Sequence, residues 1–254
     1  MSVNFYDKIA KKLGGYGYGN GNKPHYTSEY PTGGEPEKVF KENLLKLSSI
    51  NKIALDIGCA DGKFTRSVAP FFQKIYGIDI SKINLDIAKS HSNDGRSKNV
   101  EFSFQDASHT SFKGSFFDIA YCRRGPSYYE EYYRILKVKG YYLEIGIGEK
   151  DTVELKKIFG RGQGYGTWNR SILDIKIKEL NSLGFKVMYA ENFHYVEYYP
   201  SYNEFDLFLQ GVPIFEDYDS DKDRKLLEEY VAKFTTEKGI QLSRHRVVLV
   251  ARKK

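Results

Sequence analysis

Short apolar segments alternate with helical patterns between residues 52 and 145, and this alternation restricts the fold more than any other feature of the chain. The apolar segments are Lys52–Ile57, Ile75–Ile78, Val100–Phe104, Asp118–Cys122 and Tyr141–Ile145. Such alternation is typical of a parallel sheet, because the connection between two parallel neighbours must cross the sheet and usually forms a helix. The sequence therefore predicts an α/β fold with helices on both faces of the sheet.

The segments on either side of this alternation have other patterns. Residues 3–13 predict a short amphipathic helix, and a second helix is expected to begin near Glu37. Between them, residues 14–36 contain seven glycines and three prolines, a density that disfavours both helix and strand. Later in the chain, two helices are expected within residues 201–236, before a buried closing strand at Arg246–Ala251.

The turn after the first apolar segment is rich in glycine. Residues Asp56–Phe64 read Asp-Ile-Gly-Cys-Ala-Asp-Gly-Lys-Phe. Gly58 would let a ligand approach the backbone closely, and Gly62 would let the following helix pack tightly against the strand. Many turns of this kind bind no ligand, so the glycines alone leave a binding role and a structural role open.

Acidic residues stand at the ends of three consecutive predicted strands. Asp79 follows Asp56 by 23 residues, and Asp106 follows Asp79 by 27. A carboxylate at the second strand end can accept hydrogen bonds from ribose hydroxyls, and one at the third from an adenine amine. Each acid could instead satisfy turn amides. Because parallel strands end at one edge of a sheet, we expect these acids and Cys122 to converge on one crevice.

These motifs resemble those of the class I S-adenosylmethionine-dependent methyltransferases. Asp56–Gly62 is similar to their first motif, which commonly has glycine at the position of Ala60, while Tyr76–Ser81 and Gln105–Ala107 are similar to their second and third. The resemblance implies S-adenosylmethionine as cofactor, S-adenosylhomocysteine as product, and no metal ion. The cofactor-binding residues that it implies are Asp56, Gly58, Cys59, Gly62, Phe64, Asp79, Ile80, Gln105, Asp106, Ala107 and Cys122.

The resemblance also implies the architecture. We expect a three-layer sandwich whose seven-stranded sheet is mostly parallel, with an antiparallel last strand. The chain would form a single methyltransferase domain over residues 1–254, in which residues 1–49 provide an N-terminal helix and lid and residues 50–146 bind the cofactor. Residues 147–254 would supply acceptor-side segments, with the helical insertion at 201–236 before the closing strand.

Catalytic residues are harder to assign than binding residues. Methyl transfer is an in-line displacement, and most of its acceleration can come from alignment of the reactants and exclusion of water, which need no particular catalytic side chain. An oxygen or nitrogen acceptor would also need a base. His109 is the foremost candidate, because it follows Asp106 on the same loop edge, and His25 and His194 are the others. The more ordinary interpretation of each is a surface histidine or one satisfied by its neighbours. The other candidates are Arg123 and Arg124, which follow the fourth strand and could meet an acidic acceptor or the methionyl carboxylate, and Tyr26 and Tyr30.

The tyrosines of residues 14–34 leave three interpretations open. Tyr16, Tyr18, Tyr26 and Tyr30, with His25, could belong to a lid that orders over a bound ligand. The same rings could stack on nucleic-acid bases. They could also simply pack on the edge of the sheet.

Composition limits the class of partner. The net charge of +6 and the pI of about 9.0 permit an RNA acceptor but do not require one, so we expect a small-molecule acceptor, with tRNA or rRNA as the alternative. An NAD(P)-dependent oxidoreductase would need Gly-x-Gly-x-x-Gly after the first strand, a spacing absent here. A non-catalytic S-adenosylmethionine-binding protein stays open.

Two cysteines form no disulfide framework, and neither a signal peptide nor an apolar run of about 18 residues is present. We therefore expect a cytoplasmic monomer or homodimer without a membrane partner.

Overall fold

The structure is a computed structural model that describes residues 3–15, 23–31, 34–91 and 98–254. Tyr16 and Tyr18 of the expected lid lie outside the described residues. The chain divides into two compact units. Unit 1 comprises residues 1–34, 148–171 and 193–246, and unit 2 comprises residues 35–147, 172–192 and 247–254. The expectation of a single domain stays a prediction.

Within the described residues the elements, numbered along the chain, are nine α-helices and nine strands, with one short 3-10 helix at Ala69–Phe71. The strands are β1 (Thr27–Glu29), β2 (Ser49–Ile57), β3 (Phe72–Asp79), β4 (Val100–Phe104), β5 (Phe117–Arg123), β6 (Leu136–Ile147), β7 (Phe185–Tyr199), β8 (Thr235–Thr236) and β9 (Gly239–Lys253). The helices are α1 (Val3–Leu13), α2 (Pro36–Leu47), α3 (Lys63–Val68), α4 (Lys82–Ser90), α5 (Tyr129–Ile135), α6 (Val153–Phe159), α7 (Ile172–Ser182), α8 (Tyr202–Gly211) and α9 (Arg224–Phe234). None of these helices is long and apolar enough to cross a membrane.

Unit 2 contains the predicted parallel sheet. Strands β4, β3, β2, β5 and β6 lie side by side in that order, and each neighbouring pair is parallel. Following the chain, β3 and β4 are added on one side of β2, and β5 and β6 are added on the other. Strand β2 and its neighbours β3 and β5 therefore lie at the centre of these five strands. Strand order reverses at β2, which is where ligands bind in folds of this kind, at the carboxyl ends of the strands.

The sheet has nine strands in the described residues, against the seven expected. Seven of them run in the order β7-β9-β6-β5-β2-β3-β4, and the additional strands are the short β1 and β8 of unit 1. The expectation that residues 14–36 contain no strand is wrong at Thr27–Glu29, which pairs antiparallel with β7. The glycines and prolines flank this tripeptide without entering it, and the open edge of β7 supplies its hydrogen-bond partners.

Each unit has its own hydrophobic core. In unit 2, side chains of the sheet such as Leu55, Phe117 and Tyr142 pack against α5 and α7, and all three are fully buried. In unit 1, the rings of Phe205 and Tyr230 pack together with residues of α6 and β9. The apolar faces of the predicted helices at 201–236 therefore form the core of unit 1.

Candidate functional site

The glycine-rich turn after β2 is held against the end of β3. The backbone N–H groups of Gly58 and Cys59 both donate to the carbonyl oxygen of Ile78, at 2.9 and 3.0 Å. Gly58 and Gly62 have φ angles of +72° and +69°, in the left-handed region that favours glycine. Ala60 adopts this region too, at +48°, so the departure from the family's usual glycine is accommodated at some backbone strain.

The two glycines of the turn are needed for different reasons. A Cβ atom built on Gly62 would lie 2.9 Å from Cε1 of the Phe102 ring and closer still to Cζ, so this position is sterically closed. A Cβ atom on Gly58 would meet nothing within 4 Å. Gly62 therefore serves the packing of α3 on the sheet, while Gly58 presents open backbone at the edge of the sheet.

Asp79 ties the turn to the helix after β3. Its Oδ2 accepts a hydrogen bond from the backbone N–H of Ala60, at 2.9 Å, and its Oδ1 accepts from that of Ser81, at 2.8 Å. Ser81 in turn caps α4, because its hydroxyl accepts from the N–H of Asn84. The half-buried carboxylate is thus fixed by backbone groups at the carboxyl end of β3.

Asp56 lies deeper than its position in the motif indicates. It is only 2% exposed, and its Oδ2 accepts a hydrogen bond from the hydroxyl of Thr65 on α3, at 2.7 Å. Burial raises the pKa of the Asp56 carboxyl from 3.8 to about 6, against the opposing effects of the Thr65 hydrogen bond and the Arg123 charge. Asp56 therefore anchors α3 to β2, and its expected role in binding the cofactor stays a prediction.

The pKa of Asp56 predicts a pH dependence of stability. Since the pKa is higher in the folded protein than in the unfolded chain, this carboxyl binds its proton more tightly in the folded protein, and its contribution to stability grows as the pH falls from about 6 to about 4. We expect the free energy of unfolding of wild type, relative to Asp56→Asn, to rise by up to about 3 kcal/mol across this window. Urea unfolding at several pH values measures the difference. A constant difference would contradict the raised pKa.

The third motif forms a turn that its own side chains stabilise. The Oδ1 atom of Asp106 accepts from the N–H of Ser108 at 2.8 Å, which lowers the pKa of this exposed carboxyl. Gln105 similarly accepts from the N–H of Ser111 at 2.8 Å, and Ala107 is buried. Asp106 thus accepts a hydrogen bond from a backbone N–H of its own turn, which was the alternative to a role in ligand binding. A contact with adenine stays a prediction.

At the end of β5, two arginines share one acid. Arg123 and Arg124 both form ion pairs with Glu37, which lies in the first turn of α2. The guanidinium of Arg123 also stacks over the ring of Phe64, with 4.1 Å between its Cζ atom and the ring centroid. These contacts hold Phe64 and the end of β5 in place beside the glycine-rich turn.

The remaining predicted residues of unit 2 occupy different depths. Cys122 is fully buried, which raises the pKa of its thiol, and its Sγ lies 3.7 Å from the carbonyl oxygen of Pro126. Cys59 is 6% exposed, and Ile80 is half-buried. His109 is exposed and donates its backbone N–H to the carbonyl of Asp106. A catalytic role for His109 stays a prediction.

Tyr26 and Tyr30 belong to unit 1, on either side of β1. Their rings lie 5.3 Å from Tyr199 and 5.0 Å from Tyr195, both on β7. Nearby, His25 pairs with Glu204 at 3.0 Å. Of the three interpretations of this segment, packing on the sheet edge is the one that these contacts favour.

Three supporting residues were missed by sequence reasoning. Thr65 could have been found, since a hydroxyl on the first turn of the helix after the motif can reach back to Asp56. Phe102 and Glu37 carried no signal, because their partners are distant in sequence and the contacts depend on how strands and helices pack.

Comparison with known proteins identifies the core of unit 2. A family model described as a methyltransferase domain matches residues 54–140. CRG1 of Saccharomyces cerevisiae, a candidate S-adenosylmethionine-dependent methyltransferase, is 33% identical over 84 residues, which make up 33% of this chain and 28% of the yeast protein. The match thus spans little more than a quarter of that relative's length.

Solved structures share the fold over most of the chain. A candidate methyltransferase from Bacillus halodurans C-125 has a TM-score of 0.64 at 18% identity, covering 85% of this chain and 99% of its own. The 4+2-cyclase SpnF has a TM-score of 0.62 at 18% identity, covering 99% and 94%. The solved structures confirm the expected α/β fold, and the family model identifies a methyltransferase domain at residues 54–140.

Proposed function

We propose that the chain binds S-adenosylmethionine at the carboxyl ends of β2 and β3 and transfers its methyl group to a small-molecule acceptor. The observation that carries the proposal is the contact between Asp79 and the N–H of Ala60. This contact joins the acid of the second motif to the glycine-rich turn of the first. A single ligand can therefore contact the ends of both β2 and β3.

The residues present fit such a cofactor. A Cβ atom built on Gly58 would have no other atom within 4 Å, so a ligand can approach the backbone of the turn at this position. The Asp79 carboxylate is fixed within the same turn, and a carboxylate in this place suits the two hydroxyls of a ribose. Asp106 is exposed two residues beyond β4, the strand next to β3.

S-adenosylmethionine supplies, when bound, a methyl group that its sulfonium already activates. The chain's own residues would therefore act mainly by binding and alignment. Asp79 would hold the ribose, and the turn from Gly58 to Ala60 would offer its backbone. Glu37, Arg123 and Phe64 would keep the neighbouring end of β5 rigid through their ion pair and stacking contact.

A small-molecule acceptor is supported by the modest net charge. The surplus of +6 arises from 39 basic and 33 acidic side chains mixed along the chain, whereas proteins that bind nucleic acids concentrate basic residues on one face. Transfer to tRNA or rRNA is the alternative that the assay must include.

A second candidate function is suggested by one structural neighbour. SpnF is a 4+2-cyclase with the same fold, so this fold is compatible with a reaction other than methyl transfer. On this view the chain would bind S-adenosylmethionine without transferring its methyl group.

Two measurements test the proposal. S-adenosylhomocysteine is expected to raise the melting temperature of the protein, while NAD and NADP leave it unchanged. Radiolabelled methyl transfer is then measured against a panel of metabolites and bulk tRNA. Stabilisation by nicotinamides alone would contradict the cofactor assignment, label in tRNA alone would contradict the small-molecule acceptor, and binding without transfer to any acceptor would favour the second candidate.

A further inference from the structure

Unit 1 contains a cavity of about 440 Å³ that none of the motifs predicts. Its volume lies within the range of small-molecule sites, about 300–1,000 Å³. Three aromatic side chains, Trp168, His194 and Tyr195, form part of its lining. Flat aromatic walls of this kind favour a planar ligand.

The aromatic walls are held in place by a second layer of rings. His194 stacks on the buried His245, with 4.0 Å between the ring centroids, and Tyr195 packs against Tyr30 at 5.0 Å. Nδ1 of His245 accepts a hydrogen bond from the N–H of Lys150, at 3.1 Å. Burial and the neighbouring His194 lower the pKa of His245 to about 4, so this ring is neutral at physiological pH and supports His194 as a packing partner.

Arg244 provides hydrogen-bond donors to the cavity. It donates through Nε to Asp151 at 3.0 Å and through Nη1 to Glu197 at 2.6 Å, which balance its charge and fix the guanidinium. Within the described part of the chain, Nη2 of Arg244 has no hydrogen-bond partner. This atom is also not fully buried. The side chain is only 6% exposed and belongs to the cavity lining, and its guanidinium also lies over the ring of Phe208, with 5.3 Å between Cζ and the ring centroid. Nη2 is therefore the guanidinium donor left for a ligand in the cavity.

Two further donors line the same cavity. The hydroxyl of Tyr195 has no hydrogen-bond partner among the described residues, and burial raises the pKa of Tyr195, so it remains protonated. Lys150 is exposed at the rim and supplies a positive charge. Glu154 is the acidic side chain of the lining. Donors from Arg244, Tyr195 and Lys150 beside aromatic walls match a carboxylate attached to a ring.

We propose that this cavity of unit 1 binds a small aromatic carboxylate, with the ring against Trp168, His194 and Tyr195 and the carboxylate on the donors of Arg244, Tyr195 and Lys150. The site goes beyond the proposed methyl transfer and can be tested without S-adenosylmethionine. Failure of one proposal is therefore distinguishable from failure of the other.

Trp168 is the only tryptophan in the sequence, so its emission reports directly on the cavity. Hydrocinnamate titrated into the full chain is expected to change this emission saturably. Its uncharged amide, which has nearly the same shape, is expected to bind at least tenfold more weakly, because it loses the charge-assisted hydrogen bonds. Equal affinity for acid and amide, or no saturable change with either probe, would overturn the proposal.

Variants then locate the carboxylate. Tyr195→Phe keeps the packed ring and is expected to weaken hydrocinnamate binding about fivefold, and Lys150→Gln about threefold. Lys222→Gln removes an exposed charge of unit 1 outside the cavity lining and is expected to leave the affinity unchanged. If Lys222→Gln weakens binding as much as Lys150→Gln, the attraction is non-specific and the site is refuted. Circular dichroism of each variant verifies that the fold is retained.

Discussion

Replacing Asp79 with alanine is expected to weaken the binding of S-adenosylhomocysteine by about a hundredfold, which corresponds to the loss of two hydrogen bonds to a charged acceptor. The carboxylate is held by the backbone N–H groups of Ala60 and Ser81, so it is oriented before any ligand arrives. A preorganised acceptor gives up little entropy on binding, and its removal is correspondingly costly. Isothermal titration calorimetry measures the change.

The controls for Asp79→Ala separate binding from folding. Asp86→Ala removes an exposed carboxylate of α4, the helix that follows β3, and is expected to leave the affinity unchanged. Asp79→Asn keeps the shape of the side chain while removing its charge, so a tenfold or larger loss with that variant assigns the effect to the carboxylate itself. Affinity within threefold of wild type for Asp79→Ala, in a protein that melts normally, would show that the ligand binds elsewhere.

Gly62→Ala is expected to lower the free energy of unfolding by about 3 kcal/mol. Backbone strain at a φ of +69° contributes about 1 kcal/mol, and overlap of the new methyl group with the ring of Phe102 contributes about 2 kcal/mol. Urea unfolding at constant pH measures the loss.

Two comparisons separate the steric effect from the strain. Gly58→Ala places a methyl group in open space at nearly the same φ, so it is expected to lose only the strain, about 1 kcal/mol, while still obstructing the cofactor. In a Phe102→Leu background, where the far end of the ring is absent, Gly62→Ala is expected to be at least 1 kcal/mol less destabilising. An equal loss in both backgrounds would contradict the proposed overlap.

The fold between residues 52 and 145 could be predicted because its signals are local. Apolar runs, helical spacing and glycine turns lie within a few residues of one another, and β4 has the predicted bounds Val100–Phe104. Elements that depend on distant partners could not be predicted. Thr27–Glu29 is a strand because β7 lies beside it, and β9 begins at Gly239, before the expected Arg246, where it pairs with β8.

The sequence could predict which positions belong to the candidate site, but not how their side chains are buried or which groups they contact. Asp56 and Asp79 both stand at strand ends, yet Asp56 is buried against Thr65, and Asp79 reaches the backbone of the turn. Which face of a strand a side chain occupies, and what covers it, follows from packing rather than from spacing. The ion pair between Glu37 and Arg123 joins residues 86 positions apart and has no pattern in the sequence.

The two units are each assembled from three separate stretches of the chain, and this has a consequence for synthesis. Unit 1 requires residues up to 246, and unit 2 requires residues from 247 onward, so β9 is needed by both. A chain emerging from the ribosome, amino terminus first, completes neither unit until β9 has left the exit tunnel. Until then the edge of β6 that pairs with β9 is open, and an open edge of this kind can pair with strands of other chains.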